Sequence, residues 1–470
     1  MITTDRPLSY PPVIREAAHP RWRISEPALL LLFVAAHIPL GILLRQVPQF
    51  GLIHAFGTLG IGLFWALVRG PAVRVAYVGA YIVGAEVLWR MTRVPVFWEA
   101  GKYFTIAILV VALLARRTRH IPLAPLWAFL LLLPSVLLTL GANDWGTARD
   151  YISFNLSGPT AVFVCAWFFS NLEVRKDDLR RMLLIMVAPV ASIAAVAIYV
   201  LSTAGNVTWS DASNFTASGG FGPNQVSSVL GLGLLIVWLV LLHLRLPPWS
   251  RMPLVAMGLW LLVQSLLTFS RGGVFNALIP GLVMSGQAFL RRGQRSIALL
   301  LLIVGAIIYV TILAPQLDQF TQGAFSVRFS DTDSTNRDAI LVADLEVFIR
   351  HPLAGVGPGN LLNARLGFYS STVAAHTEYS RLLGEHGLLG LTAMLLMIAA
   401  VWRNYIRSAG DDFLRDLIIV MGLWAAVFMM HTAMRLVAPA FAIGLTFATI
   451  ASAPPSYQDR RIIEQSDLAE

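Results

Sequence analysis

Fourteen apolar runs constrain this chain more than any other feature. They lie at about 27–45, 52–68, 73–91, 102–115, 122–141, 158–171, 182–203, 224–244, 252–269, 273–291, 296–314, 387–403, 415–432 and 435–453. Crossing the hydrocarbon core of a bilayer takes ~20 apolar residues in a helix, because no water is present there to satisfy backbone amides. Several runs are shorter, so 158–171 and the pair 252–269 and 273–291 are candidates for tilted, broken or re-entrant segments. The expected fold is an all-α polytopic membrane protein of about 12–14 spans. Composition agrees: 57% of the 470 residues are hydrophobic and 13% are charged, where soluble domains carry about 25% charge.

Charge sets the orientation. The net charge of +9 is almost all arginine, with lysine only at Lys102 and Lys176. In a soluble chain that balance would raise the question of nucleic acid. Here the bilayer is the partner, because basic residues collect in cytoplasmic loops. With the N-terminus inside and the spans alternating, most of the 35 Lys and Arg residues fall on the inner side, including Arg69, Arg119, Arg245 and Arg292. Short outer loops are nearly free of them. Residues 1–26 show no short apolar core followed by a small-residue cleavage site, so the first span is expected to serve as an uncleaved signal. The lone Cys165 excludes an internal disulfide.

The chain then divides into an inner N-terminal segment 1–26, a membrane bundle 27–314, a long outer loop 315–386, two further spans within 387–453, and an inner tail 454–470. The loop reads as amphipathic surface helices. Ile340, Leu341, Leu345, Val347 and Phe348 give one of them an apolar face, with Ser334 or Thr335 as a cap. His351-Pro352 ends it, residues 355–360 form a turn, and a second helix runs from about Thr377 into the span at 387.

Chemistry-bearing residues gather at the outer end. Arg271 stands between Ser270 and Gly272-Gly273, where glycines let a backbone approach a ligand and expose its N–H groups; the plainer alternative is an interfacial arginine reaching headgroups. Arg337 begins the surface helix beside Asp331, Asp333 and Asp338, and a salt bridge to one of these is its plainer role. Together, two guanidiniums can grip a diphosphate through charge-assisted hydrogen bonds, and neither loses its proton when water is excluded. His376 is the candidate base, with Glu378, Glu385 and Tyr379 near enough in sequence to orient it. His386 and His351 are weaker rivals. Tyr379, Arg381, Glu378, Ser270 and Asn224 are candidates to line the site, and Trp145, Arg149 and Asp150 to touch a sugar or lipid headgroup. Glu86, Glu99 and Lys102 form an ionisable group in or beside the membrane, either functional or a simple structural pair. No metal-ligand spacing and no phosphate-loop pattern occurs, so no cofactor is expected.

In this order the motifs resemble the O-antigen ligase and polymerase superfamily. His376-Thr377, nine residues, then Gly387-Leu388-Leu389-Gly390 is similar to that family's His-[Asn/Ser/Gln]-x9-Gly-x-x-Gly signature, with Thr377 departing at the second position. Ser270-Arg271-Gly272 is similar to its first arginine motif. Asn336-Arg337 followed by residues 351–360 is similar to its second arginine and its Pro-x-x-Gly-x-Gly turn. The resemblance covers about residues 210–400. It implies a GT-C-like bundle in the bacterial inner membrane with a periplasmic catalytic loop. The implied reaction is an inverting, metal-independent glycosyl transfer from an undecaprenyl-diphosphate-linked glycan to a glycan or lipid-A-core acceptor. Arg271 and Arg337 would bind the diphosphate and His376 would be the general base. A polymerase joining lipid-linked repeats shares this chemistry. A lipid-linked-oligosaccharide transporter is the alternative of another class, and it should show internal repeats and mid-membrane ionisable sites.

Overall fold

A computed structural model describes residues 25–68, 70–118, 120–243, 246–291, 293–331, 337–369 and 375–450. Residues 1–24 and 451–470, the four arginines 69, 119, 245 and 292 of the orientation count, and Ser334, Thr335 and Asn336 lie outside them. The described residues are almost wholly helical. Among them, ten helices are long and apolar enough to cross a membrane: Glu26–Gln46, Pro48–Leu67, Trp145–Ser170, Lys176–Thr203, Pro223–His243, Pro248–Leu267, Arg271–Leu290, Ala298–Phe320, Glu378–Arg407 and Asp412–His431. The chain is an all-α, multi-pass membrane protein.

The differences from the sequence reading have local causes. The run 122–141 does not form one span; it splits into Leu123–Leu130 and Val136–Ala142. Pro134 lies between them and supplies no N–H, while disfavouring helix at the residue before it. Among its described residues, the run 435–453 holds one helix, Ala438–Leu445, too short to cross and with every residue buried inside the bundle. After it, Thr449–Ile450 pairs in parallel with Glu173–Val174. The run 158–171 errs the other way: the helix is Trp145–Ser170, started by Asp144, whose carboxylate accepts from the Gly146 and Thr147 amides at 2.9 and 3.2 Å. The pair 252–269 and 273–291 forms two separate full-length helices.

Lys176–Thr203 is the central post, packed against Glu26–Gln46 and Val73–Met91. Lipid tails offer no less apolar contact than leucine, so close packing inside a membrane depends on small residues. A Cβ on Gly41 would lie 2.7 Å from the Ser192 carbonyl, and one on Gly84 2.6 Å from the Pro189 ring.

Five helix ends meet at one end of the bundle: the starts of Pro223–His243, Arg271–Leu290 and Glu378–Arg407, and the finishes of Pro248–Leu267 and Asp412–His431. Over this end fold the short helices Ala324–Ser330, Arg337–Arg350 and Leu361–Arg365. The helix begun at Glu378 continues into the span, with a break at Gly387.

Candidate active site

The Phe269–Gly273 turn is built around its backbone. Phe269 has a φ of +57°, unusual for a bulky residue, and is held there by complete burial. Its carbonyl accepts from Arg328 Nε at 3.0 Å. Ser270 Oγ donates to Asn224 Oδ1 at 2.8 Å, so these two candidate lining residues bind each other. The glycines after Arg271 serve packing. A Cβ on Gly272 would strike the His431 ring, and one on Gly273 would strike Ser227. They admit neighbouring helices, where the sequence suggested a backbone exposed to ligand.

Arg271 donates through Nη1 to the Asp331 carbonyl. Its charge bears on Arg337 and Arg328. Burial and then the like charge of Arg271 hold Arg337 below the ordinary arginine value, though a guanidinium keeps its proton at neutral pH even so. Arg337 in turn bears on His376, together with Arg435 and Arg365. Arg271 therefore bears on Arg337, and Arg337 on His376. Burial first, then those three guanidiniums, push His376 down to about 4. At neutral pH the imidazole is uncharged and can accept a proton.

Thr377, the residue that departs from the family signature, caps the next helix: its Oγ1 accepts from the Ser380 amide at 2.9 Å. The cap fixes His376 just outside the helix. Ser380 Oγ reaches Asp344 Oδ2 at 2.8 Å, and Asp344 Oδ1 takes Arg365 Nη1 at 2.7 Å with both side chains fully buried. This pair ties Arg337–Arg350, Leu361–Arg365 and Glu378–Arg407 into one unit around His376.

The groups expected to orient His376 are bonded elsewhere. Glu378 pairs with Arg381 and accepts from the Met434 amide at 3.0 Å. Glu385 takes Arg381 Nη1 at 2.5 Å and the Gly359 amide at 2.9 Å. Tyr379 donates to the Ala426 carbonyl at 3.0 Å. Each lies on a helical face fixed by the bundle, which proximity in sequence does not reveal. Arg381 is gripped between the two glutamates and also contacts Asn155. His386 is buried with Nδ1 2.5 Å from Ser135 Oγ, a packing position. Trp145, Arg149 and Asp150 are exposed, and Arg149 pairs with Asp150 at 2.8 Å.

The glycine motifs dock on each other. Val356 N and Gly357 N donate to the Gly384 and Glu385 carbonyls at 3.0 and 2.9 Å, and Leu388 N donates to the Pro352 carbonyl at 2.7 Å. Gly355 and Gly387 have φ of +67° and +62°, and a Cβ on either would lie within 2.7 Å of the other segment's backbone. Backbone therefore lies directly on backbone where the surface loop meets the span.

Sequence reasoning gave no role to Arg435, Arg328, Arg365 or His431, although the turn His431–Arg435 stood out as a short segment at the same end as Arg271. His431 places Nε2 3.3 Å from Ser228 Oγ, beside Gly272. A signal for Arg435 existed: an arginine in a short turn that the charge count assigns to the outer side runs against the charge bias of the rest of the chain. The turn is held by buried side chains from the first half. Arg90 Nη2 donates to the Arg435 carbonyl at 2.8 Å, Lys102 Nζ to the Met434 carbonyl at 2.9 Å, and Glu86 Oε2 accepts from the Val437 amide at 2.7 Å. Lys102 also pairs with Glu99. Of the two readings of that ionisable group, this geometry is the structural one.

Residues 256–395 match the sequence profile of the family described as O-antigen ligase. The matched stretch contains Arg271, Arg337 and His376. No curated protein matches the chain.

Proposed function

We propose that this chain, which carries an O-antigen ligase domain over residues 256–395, transfers a glycan from undecaprenyl diphosphate to an acceptor hydroxyl at the periplasmic face of a bacterial inner membrane. At family level the match supports a membrane glycosyltransferase of O-antigen ligase or polymerase type. What supports the finer reading is a half-buried imidazole just outside a helix start that Ser380, Asp344 and Arg365 tie to the helix begun by Arg337, with the charges of Arg337, Arg435 and Arg365 bearing on it.

Arg271 and Arg337 hold the diphosphate, whose negative charge grows as the bond to the sugar breaks. Fixed charges aimed at developing charge are the largest common source of catalysis. The acceptor oxygen attacks the anomeric carbon from the face opposite the leaving group, so the configuration inverts. As the carbon–oxygen bond to the diphosphate breaks, the hydroxyl proton passes to His376. The products are the glycosylated acceptor and undecaprenyl diphosphate. The arginines do the neutralising, so transfer is expected to persist in EDTA; loss with rescue by a divalent ion would contradict this.

Glycan analysis of a deletion strain tests the reaction. Accumulation of lipid-linked polymer is expected, as for a ligase. Accumulation of single unjoined repeats would replace that reading with a polymerase, and unchanged glycans would reject both.

A further inference from the structure

A buried cation beside Arg271 has no part in the reaction proposed above. Arg328 lies on the short helix Ala324–Ser330, and its side chain is almost wholly buried. Nε donates to the Phe269 carbonyl at 3.0 Å. The Phe269 ring is held as well, with Phe325 of the same helix at 6.3 Å and Trp209 at 5.1 Å between ring centroids. Phe269 stands two residues before Arg271 and has a positive φ. Whatever fixes its carbonyl therefore fixes the direction in which the chain leaves for Arg271.

A hydrogen bond to one carbonyl does not need a guanidinium. A glutamine amide supplies a donor without a charge. Here the charge is costly. Arg328 Nη1 is buried and makes no hydrogen bond among the described residues. Its ion pair with Asp331 Oδ2 is long, at 4.0 Å. Arg271 meets the same residue through the Asp331 carbonyl, so the two arginines converge there. Burial and then the like charge of Arg271 hold Arg328 below the ordinary arginine value; Asp331, Arg337 and Asp211 also bear on it. A guanidinium does not shed its proton to relieve such repulsion. Three positive groups thus lie within electrostatic reach of one another. An anion among them relieves the repulsion, and a more highly charged anion relieves more of it.

We infer that Arg328 is a positioning residue of the anion site: through the Phe269 carbonyl it sets the turn that carries Arg271, and its charge, without touching the ligand, biases the site toward a diphosphate over a monophosphate. This rests on the reading of Arg271 and Arg337 as the groups that hold the diphosphate, and it assigns the selectivity of that site to a residue behind them. Charge separates this role from packing. A monophosphate carries less negative charge at the same pH, so removing a fixed positive charge weakens its binding less.

Equilibrium binding of undecaprenyl diphosphate and undecaprenyl monophosphate to the full chain in phosphatidylcholine nanodiscs tests this without turnover. Wild type should bind the diphosphate more tightly. Arg328→Gln keeps a donor for the Phe269 carbonyl and loses the charge. Its diphosphate affinity should fall about tenfold and its monophosphate affinity about threefold, so the preference narrows. Arg328→Lys keeps the charge and should retain the wild-type preference to within about twofold. Arg328→Met, which has neither charge nor donor, should narrow the preference as Arg328→Gln does. Equal losses for both lipids in Arg328→Gln, the same narrowing in Arg328→Lys, or failure of both uncharged variants to fold would make Arg328 a structural residue and overturn the inference. Arg337→Ala tests the reading beneath it: unchanged diphosphate binding there would remove the diphosphate site, and this inference with it. Weakened binding in Arg337→Ala beside an unchanged preference in Arg328→Gln would reject the role of Arg328 alone.

Discussion

At the scale of single residues, His376 is placed to be neutral, at a cost in basicity. Burial and the charges of Arg337, Arg435 and Arg365 hold it at about 4. An imidazole in that state is free of protons at pH 7 but binds one weakly. On the proposed reading, a diphosphate bound on Arg271 and Arg337 would offset positive charge near the ring and raise its proton affinity. The acid limb of kcat/KM, which reports the free protein, is therefore expected at lower pH than the acid limb of kcat. Activity falls as pH drops through each limb, because protonation removes the base. Arg337→Ala removes one of the charges that depress the ring, so its kcat/KM limb should move to higher pH. The same variant should lose transfer by about 10²–10³, the usual cost of deleting a preorganised transition-state donor. A pH profile that leaves the limb in place would mean that Arg337 does not act on His376. Arg271 stood out in the sequence because it is a guanidinium at a helix end beside glycines, and Arg337 and His376 because they are ionisable groups in the long loop between two spans. Arg328 and Arg365 did not, because their proximity depends on how separate helices pack, and Arg435 showed only as an arginine in a short turn.

Among the elements, the surface loop is joined to the span by glycine. The residues 352–357 turn and the break at Gly387 exchange backbone hydrogen bonds with no side chain between them. In Gly355→Ala the new Cβ would lie 2.3–2.5 Å from the Glu385 and Gly384 backbone, on a residue whose positive φ is already unfavourable for alanine. The expected loss exceeds about 2 kcal/mol, read as a lower midpoint in thermal unfolding and faster proteolysis of the loop. Wild-type stability in that variant would mean the two segments do not dock. The sequence displayed both glycine motifs and their order. That they are one feature was hidden, because the partner segments lie about thirty residues apart and only the folded loop brings them together. Glu378, Tyr379 and Arg381 show the opposite limit: adjacency to His376 in sequence suggested contact, yet the helix turns each toward a different neighbour.

For the whole molecule, side chains from the first half of the chain brace the candidate site. Arg90, Lys102 and Glu86 hold the backbone of the 434–437 turn, which presents Arg435. Membrane class and helical content were legible from the apolar runs alone. The broken run at 122–141 and the buried short helix Ala438–Leu445 were not, because hydropathy does not distinguish a helix that faces lipid from one that fills a bundle. Orientation is open to a labelling experiment. Cys165 is buried, so Asp338→Cys on the exposed surface helix would stand on a quiet background. A membrane-impermeant maleimide should label it from outside in intact spheroplasts. Labelling only after permeabilisation would invert the topology and move the site to the cytoplasm.

The most direct measurement is glycan transfer by full-length wild type and His376→Ala in proteoliposomes. The donor is undecaprenyl-diphosphate-linked glycan extracted from the deletion strain, and undecaprenyl diphosphate binding is followed in parallel. The variant should bind the diphosphate lipid as wild type does while transfer falls by about 10²–10⁴, the range for losing a general base. Wild-type transfer rates in His376→Ala would contradict the assignment of that imidazole as the base.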